Sequence, residues 1–263
     1  DGVISADKGG GQPEAPSAGM YEHGPGPAGG VMPRALDGED CDRIKKAFAE
    51  ATRRAARAGF DAVEMHAAHG YLLHEFLSPL SNKREDGYGG SPENRMRFPL
   101  DVFEAMREAF PADKPVGVRI SATDWTEGGW TLEDSCRFSA ELQRLGSAYV
   151  HVSGGGLDPH QKMHVGPGYQ VKYAAKIRER LANAAKENSM ARMPVITVGL
   201  VTEPLQAESM IVSGQADMVA VGRGMLYDPH WPWRAAASLG AQVEAPPQYW
   251  RAAPHGVRDL FKK

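Results

Sequence analysis

The chain has 263 residues, of which 42% are hydrophobic and 24% charged, with 30 Lys+Arg against 33 Asp+Glu. These proportions are those of a globular protein and exclude an acidic disordered chain, a coiled coil and a collagen-like repeat. The near-neutral balance leaves no basic footprint for nucleic acid, and no run reaches the ~18 uncharged apolar residues of a membrane span.

Residues 1–35 hold many of the glycines and prolines and no hydrophobic period, so they read as a surface loop or arm. The first residues, DGVISADKGGGQPEAPSAG, lack a basic-then-apolar leader pattern. Cys41 and Cys136 cannot make a disulfide framework, which fits a reducing, cytoplasmic setting. A regular alternation then occupies residues 36–240. The apolar stripe of Ile44, Phe48 and Ala55 predicts a helix over 38–58, closed by Gly59, and residues 60–66 read as a strand. Ser91 and Pro92 open a helix over 91–110 as N-cap and first position. Strands follow at 115–122, 149–154, 194–199 and 217–223, with helices at 131–145, 170–188, 203–213 and near 231–239. Residues 241–263 form a C-terminal tail.

Strand–helix repetition predicts a parallel sheet covered by helices, either a doubly wound open sheet or a (β/α)₈ barrel. Within the strands, Glu64 and His66 oppose Val63 and Met65; Gly117, Arg119 and Ser121 oppose Val116, Val118 and Ile120; His151 and Ser153 oppose Val150 and Val152. One polar and one aliphatic face per strand favours the barrel, because a doubly wound sheet is apolar on both faces. Only about five βα units can be placed, so the expectation is a partial barrel with two open edges.

The densest chemistry is His66-Ala67-Ala68-His69-Gly70-Tyr71, at the C-terminal end of a strand, where barrel active sites gather. The two imidazoles could polarise a carbonyl or hold an anionic oxygen, with Tyr71 giving a proton. They could instead ligate a metal with His74 or Glu75 as a third ligand, or be satisfied strand-end histidines. Arg119, on a polar strand face, needs either a carboxylate such as Glu64 or an electron-rich ligand edge. Gly199 and the Gly222-Arg223-Gly224 run end the last two strands, the position of barrel phosphate sites, or are plain turn glycines. The loop Asn82–Asn94 reads as a lid or as a solvated connector.

Residues 66–98, HAAHGYLLHEFLSPLSNKREDGYGGSPENRMRF, closely resemble the signature of the old yellow enzyme family, nearest its bacterial NADPH dehydrogenase and xenobiotic reductase branch. RISATDW at 119–125, VSGGGLDP at 152–159, VGPGYQV at 165–171, ITVGLVTEP at 196–204, AVGRGMLYDPHWPW at 220–233 and PPQYWR at 246–251 continue the resemblance in order. The resemblance implies an FMN-containing (β/α)₈ barrel that takes hydride from NADPH or NADH and passes it to an activated alkene, an unsaturated carbonyl or nitro compound. It implies that His66 and His69, with Ala67 and Ala68 between them, bind the substrate's oxygen, and it disfavours a metal. It further implies that Tyr71 lies beside the substrate, that Arg119 faces the flavin N1/O2 edge, and that Gly199, Gly222 and Arg223 hold the FMN phosphate. Arg251 resembles an arginine that enters a neighbouring subunit's substrate site, which implies a dimer or tetramer bridged by the tail 241–263. The family's first three βα units have no counterpart here. The alternative is therefore a non-catalytic or split barrel that needs a partner chain to complete the flavin site.

Overall fold

A computed structural model describes Ile4, residues 6–18 and residues 32–262. Two residues each, Glu14–Ala15 (β1) and Arg34–Ala35 (β2), pair in parallel. Arg34 bridges Glu14 and Asp40, and Arg43 meets Glu14 at 2.8 Å, fastening this pair to the first helix. The surface-arm reading of residues 1–35 falls partly on residues 1–3, 5 and 19–31, outside the described residues.

Helix α1 (Gly38–Arg57) starts in a capping box of Asp37 and Asp40. Strand β3 (Val63–Ala67) and helix α2 (Leu72–Leu77) follow, then α3 (Pro92–Ala109), whose N-cap Ser91 accepts from the Asn94 N–H at 3.2 Å. The remaining units are β4 (Val116–Ser121), α4 (Leu132–Arg144), β5 (Val150–Ser153), α5 (Val171–Glu187), β6 (Val195–Val198), α6 (Pro204–Val212), β7 (Met218–Ala220), α7 (Arg223–Tyr227) and α8 (Trp231–Leu239). Strands β8 (Val243–Glu244) and β9 (Phe261–Lys262) pair around the 3₁₀ turn Pro247–Ala252.

The main sheet is parallel and runs β3-β4-β5-β6-β7, in chain order without reversal. A doubly wound sheet reverses its order at a switch point; consecutive order is that of a (β/α)₈ barrel, of which this is a five-stranded arc. The aliphatic face of the arc turns outward. Met65, Val118, Ile120, Val150, Val152 and Val195 pack with Phe103, Phe138, Leu142, Ile177 and Leu181, all buried. Each such burial contributes ~1.5–3 kcal/mol. The register aligns His66, Arg119, His151, Ile196 and Met218 in one inward row. The inward face is thus polar on β3–β5, as expected, and turns apolar on β6 and β7. Two helices went unforeseen. Each is six residues or fewer, too short for an apolar period to register. The tail 252–262 folds back on α8, where Leu260 and Phe261 are buried beside Ala236. Among the described residues no helix is long and apolar enough to cross a membrane.

Candidate active site

The C-terminal end of β3 leads straight into a tight turn. His69 takes φ +59° and Gly70 φ +78°, so the chain reverses within the His66–Tyr71 run before Tyr71 caps α2. A non-glycine residue held at positive φ marks a conformation that its surroundings enforce. Here the enforcement is visible. A Cβ on Gly70 would lie 2.3 Å from the Gly156 carbonyl oxygen, and one on Gly156 would lie 2.5 Å from the His69 Cα. Two glycines therefore let the turn after β3 and the loop after β5 cross backbone against backbone. The His69 N–H donates to Ser121 Oγ at 3.0 Å, and that hydroxyl donates to the Gly155 carbonyl at 2.8 Å.

His66 and His69 stand with ring centroids 5.2 Å apart, and the Tyr71 ring is 5.3 Å from His66. Tyr71 is 64% exposed, whereas Ala67 and Ala68 between the histidines are fully buried. Burial, then the nearby Arg119 charge, lowers the pKa of both imidazoles, that of His69 to about 4. Both rings are therefore neutral near pH 7 and act as N–H donors rather than cations. His69 Nε2 lies 2.7 Å from Ser153 Oγ, which in turn donates to Gln170 Oε1 at 3.4 Å.

His74 is wholly occupied. Its Nδ1 accepts from the Gly70 N–H at 2.9 Å, so Nε2 carries the proton that it donates to Asp124 Oδ1 at 2.8 Å. The same carboxylate accepts from Ser78 Oγ at 2.6 Å and from the Trp130 N–H at 2.7 Å. His74 thus braces the turn that presents His69, and has no ring nitrogen left for a metal. Burial pushes the Glu75 carboxyl up to about 7. Among the described residues no three His, Cys, Asp or Glu side chains are arranged to hold a metal ion.

Arg119 stands beside His66 in the inward row, and its Nε is buried with no hydrogen-bond partner. Glu64, the carboxylate that sequence offered it, bonds instead to His151 Nδ1 at 3.1 Å. Burial works to raise the Glu64 pKa, but the His151 bond and the charges of His151 and Arg119 outweigh it and keep the carboxylate ionised. Gly199 follows β6, Gly222 caps α7, and Arg223 is exposed. Arg251 is exposed on the Pro247–Ala252 turn, away from any hydrogen bond or ion pair among the described residues. The loop Asn82–Asn94 is pinned rather than free. Asn82 Nδ2 bonds the Phe76 and Tyr88 carbonyls at 2.7 Å, and Arg84 reaches the Pro16 carbonyl at 2.8 Å. Sequence reading missed the bracing roles of Ser121, Asp124 and His151, whose partners lie 34 to 87 residues away in the chain.

Known proteins resemble this arrangement over most of its length. The chain is 44% identical over 219 residues to an NADPH dehydrogenase of Geobacillus thermodenitrificans, and 41% identical over 221 residues to an NADPH dehydrogenase of Bacillus subtilis. These matches cover 83% and 84% of the chain but 61% and 62% of the relatives, so the chain spans about three fifths of their length. Among solved structures, a morphinone reductase superposes with TM-score 0.68 at 30% identity, covering 97% of this chain and 68% of that one. The old yellow enzyme homologue from Zymomonas mobilis does so with TM-score 0.71 at 26% identity, covering 96% and 70%. The family model described as NADH:flavin oxidoreductase / NADH oxidase matches residues 6–242, and the chain belongs to that family.

Proposed function

We propose that the chain carries the substrate face and the main cofactor contacts of an FMN-dependent NAD(P)H oxidoreductase that reduces activated alkenes, such as unsaturated carbonyl or nitro compounds. The observation that carries this reading is that Arg119, with a buried, unpartnered guanidinium N–H, stands across adjacent strands from His66, whose ring lies 5.2 Å from that of His69, both imidazoles having their pKa lowered by burial. A buried arginine donor is costly unless a ligand completes it, and the N1/O2 edge of a flavin is an acceptor of the right kind. The donor set fits the group elsewhere too. A Cβ on Gly222 would meet nothing within 4 Å, leaving room for a phosphate beside Arg223, and one on Gly199 would approach the Tyr169 ring to 3.1 Å.

When bound, FMN supplies hydride transfer from NADPH or NADH to the alkene. Arg119 stabilises negative charge on the ring edge it faces. When Ser153 Oγ turns its proton to His69 Nε2 at 2.7 Å in place of its longer bond to Gln170, the neutral His69 ring carries its proton on Nδ1, and that N–H, with the one of His66, bonds the substrate's carbonyl or nitro oxygen, where charge develops. Ala67 and Ala68 keep the floor between them small. Tyr71 holds a phenolic proton at the exposed mouth for delivery to carbon. Gly199, Gly222 and Arg223 hold the phosphate. Arg251 completes the substrate site of a neighbouring subunit in a cytoplasmic dimer or tetramer.

The test is to titrate the chain with FMN and follow NADPH and NADH oxidation on adding a simple enone. A 1:1 flavin complex that turns over supports the reading; a folded chain that takes up no FMN refutes it.

A second reading is favoured by the open edges. Met218 on β7 is 43% exposed, and Leu226 and Tyr227 on α7 are 84% and 94% exposed. Further βα units seated on β7 and β3 would cover them and close the barrel. Co-expression with such units then yields flavin binding that the chain alone lacks.

A further inference from the structure

His69 and the end of β6 are joined through two buried side chains. Ser153 and Gln170 are 4% and 2% exposed. Gln170 Nε2 donates to the Val198 carbonyl at 2.9 Å, and because an amide nitrogen only donates, this bond turns the amide oxygen, Oε1, toward Ser153. Ser153 Oγ lies 3.4 Å from that oxygen on one side and 2.7 Å from His69 Nε2 on the other. The amide sits where two glycines leave room for it. A Cβ on Gly154 would lie 3.1 Å from Gln170 Oε1, and one on Gly199 would lie 3.1 Å from Gln170 Nε2.

Ser153 has one proton and two neighbours that can accept it. Pointed at Gln170 Oε1, the hydroxyl is left to accept from His69 Nε2–H, and in the neutral ring Nδ1 is then an acceptor. Pointed at His69 Nε2, it fixes the ring proton on Nδ1, which becomes the donor that a carbonyl or nitro oxygen requires. Gln170 Oε1 accepts only, so the amide favours the first arrangement.

We propose that Ser153 and Gln170 are positioning residues for His69: Gln170 holds the ligand-free site in the Nε2–H form, and an acceptor-only substrate binds by drawing the Ser153 proton from Gln170 to His69. The ring gives its Nε2 proton to water and takes one at Nδ1, so its charge is unchanged. The bond given up is the 3.4 Å one, long for a hydroxyl donor and therefore weak. The same amide fastens Ser153 to β6, the strand that Gly199 follows. The inference rests on the oxygen-binding role of His69 proposed above, but the ligand-free tautomer is a property of the flavin-free chain.

The experiment has one arm without FMN and one with it. In the ¹⁵N-labelled flavin-free chain near pH 7, the His69 ring is expected as the Nε2–H tautomer. Gln170→Met, which removes the competing acceptor, shifts it to Nδ1–H; Gln170→Glu, which keeps an oxygen there, leaves it Nε2–H. In the FMN complex, Gln170→Met lowers KM for a simple enone about fivefold, the fold-change of one neutral hydrogen bond, and Gln170→Glu leaves it at or above the wild-type value. A merely structural side chain would raise KM in both variants. A wild type in the Nδ1–H form, or a folded Gln170→Met with the wild-type tautomer or a raised KM, overturns the proposal. If Gln170→Met does not fold, Ser153→Ala decides: it is expected to show both tautomers, and an Nε2–H ring unchanged by it overturns the relay. A wild type that binds no FMN counts against the oxidoreductase reading alone, and the flavin-free spectra still decide the tautomer.

Discussion

His74 and Asp124, fully buried and joined at 2.8 Å, hold the His66–Tyr71 turn from beneath, because the same imidazole accepts from the Gly70 N–H. Removing either partner strands the other without water to replace it. His74→Ala and Asp124→Asn are each expected to cost about 3 kcal/mol in chemical denaturation. Both also weaken substrate binding, since Gly70 and His69 lose their support. A variant as stable as wild type would mean that the turn is held by other contacts.

The role proposed for His66 and His69 offers a sharper functional test. In the FMN-loaded protein, His69→Ala is expected to lower kcat/KM for an enone about 10²–10³-fold, the usual loss for a donor aimed at developing negative charge. The rate of flavin reduction by NADPH should stay within a few fold, because that half-reaction does not use the substrate's oxygen. Stopped-flow absorbance separates the two, and equal losses in both would place His69 elsewhere in the cycle.

Acid stability follows from the same residue. The His69 pKa is lowered to about 4 in the folded state, against an ordinary value of 6.5. Between those values the unfolded chain binds the extra proton, so stability falls as pH drops from about 6.5 to 4. Urea unfolding across that range should show the loss, and His69→Gln should flatten it. An unchanged slope in the variant would assign the effect to another group.

Asp217 controls a lower window. It is bound by Arg192 at 2.7 Å, Arg178 at 3.1 Å and the Val195 N–H at 2.9 Å. Burial acts to raise its pKa, but these bonds prevail and hold it at about 2, against an ordinary 3.8. Its contribution is present above pH 3.8 and is lost as pH falls through about 2. Asp217→Asn is expected to lower stability by ~1–2 kcal/mol at neutral pH, discounted for its partial exposure. It should also loosen α5 from β7, which hydrogen exchange would report.

Much of this was legible in the sequence, for local reasons. Ser91 and Pro92 announce α3 because capping is settled within four residues. The polar row of His66, Arg119 and His151 shows through because a strand repeats every two residues. What stayed hidden depends on distant pairings. His74 looked like a spare metal ligand until Asp124, fifty positions on, claimed it. Glu64 looked like a partner for Arg119 because nothing local says that His151 reaches across from β5 to bond it.

The most direct measurement is a crystal structure of the chain grown with FMN. The expected result is an isoalloxazine ring with its N1/O2 edge about 2.7–3.2 Å from the Arg119 guanidinium and the His66 and His69 rings over its face. A flavin bound anywhere else, or a folded chain that excludes it while those three side chains keep their present positions, would contradict the account.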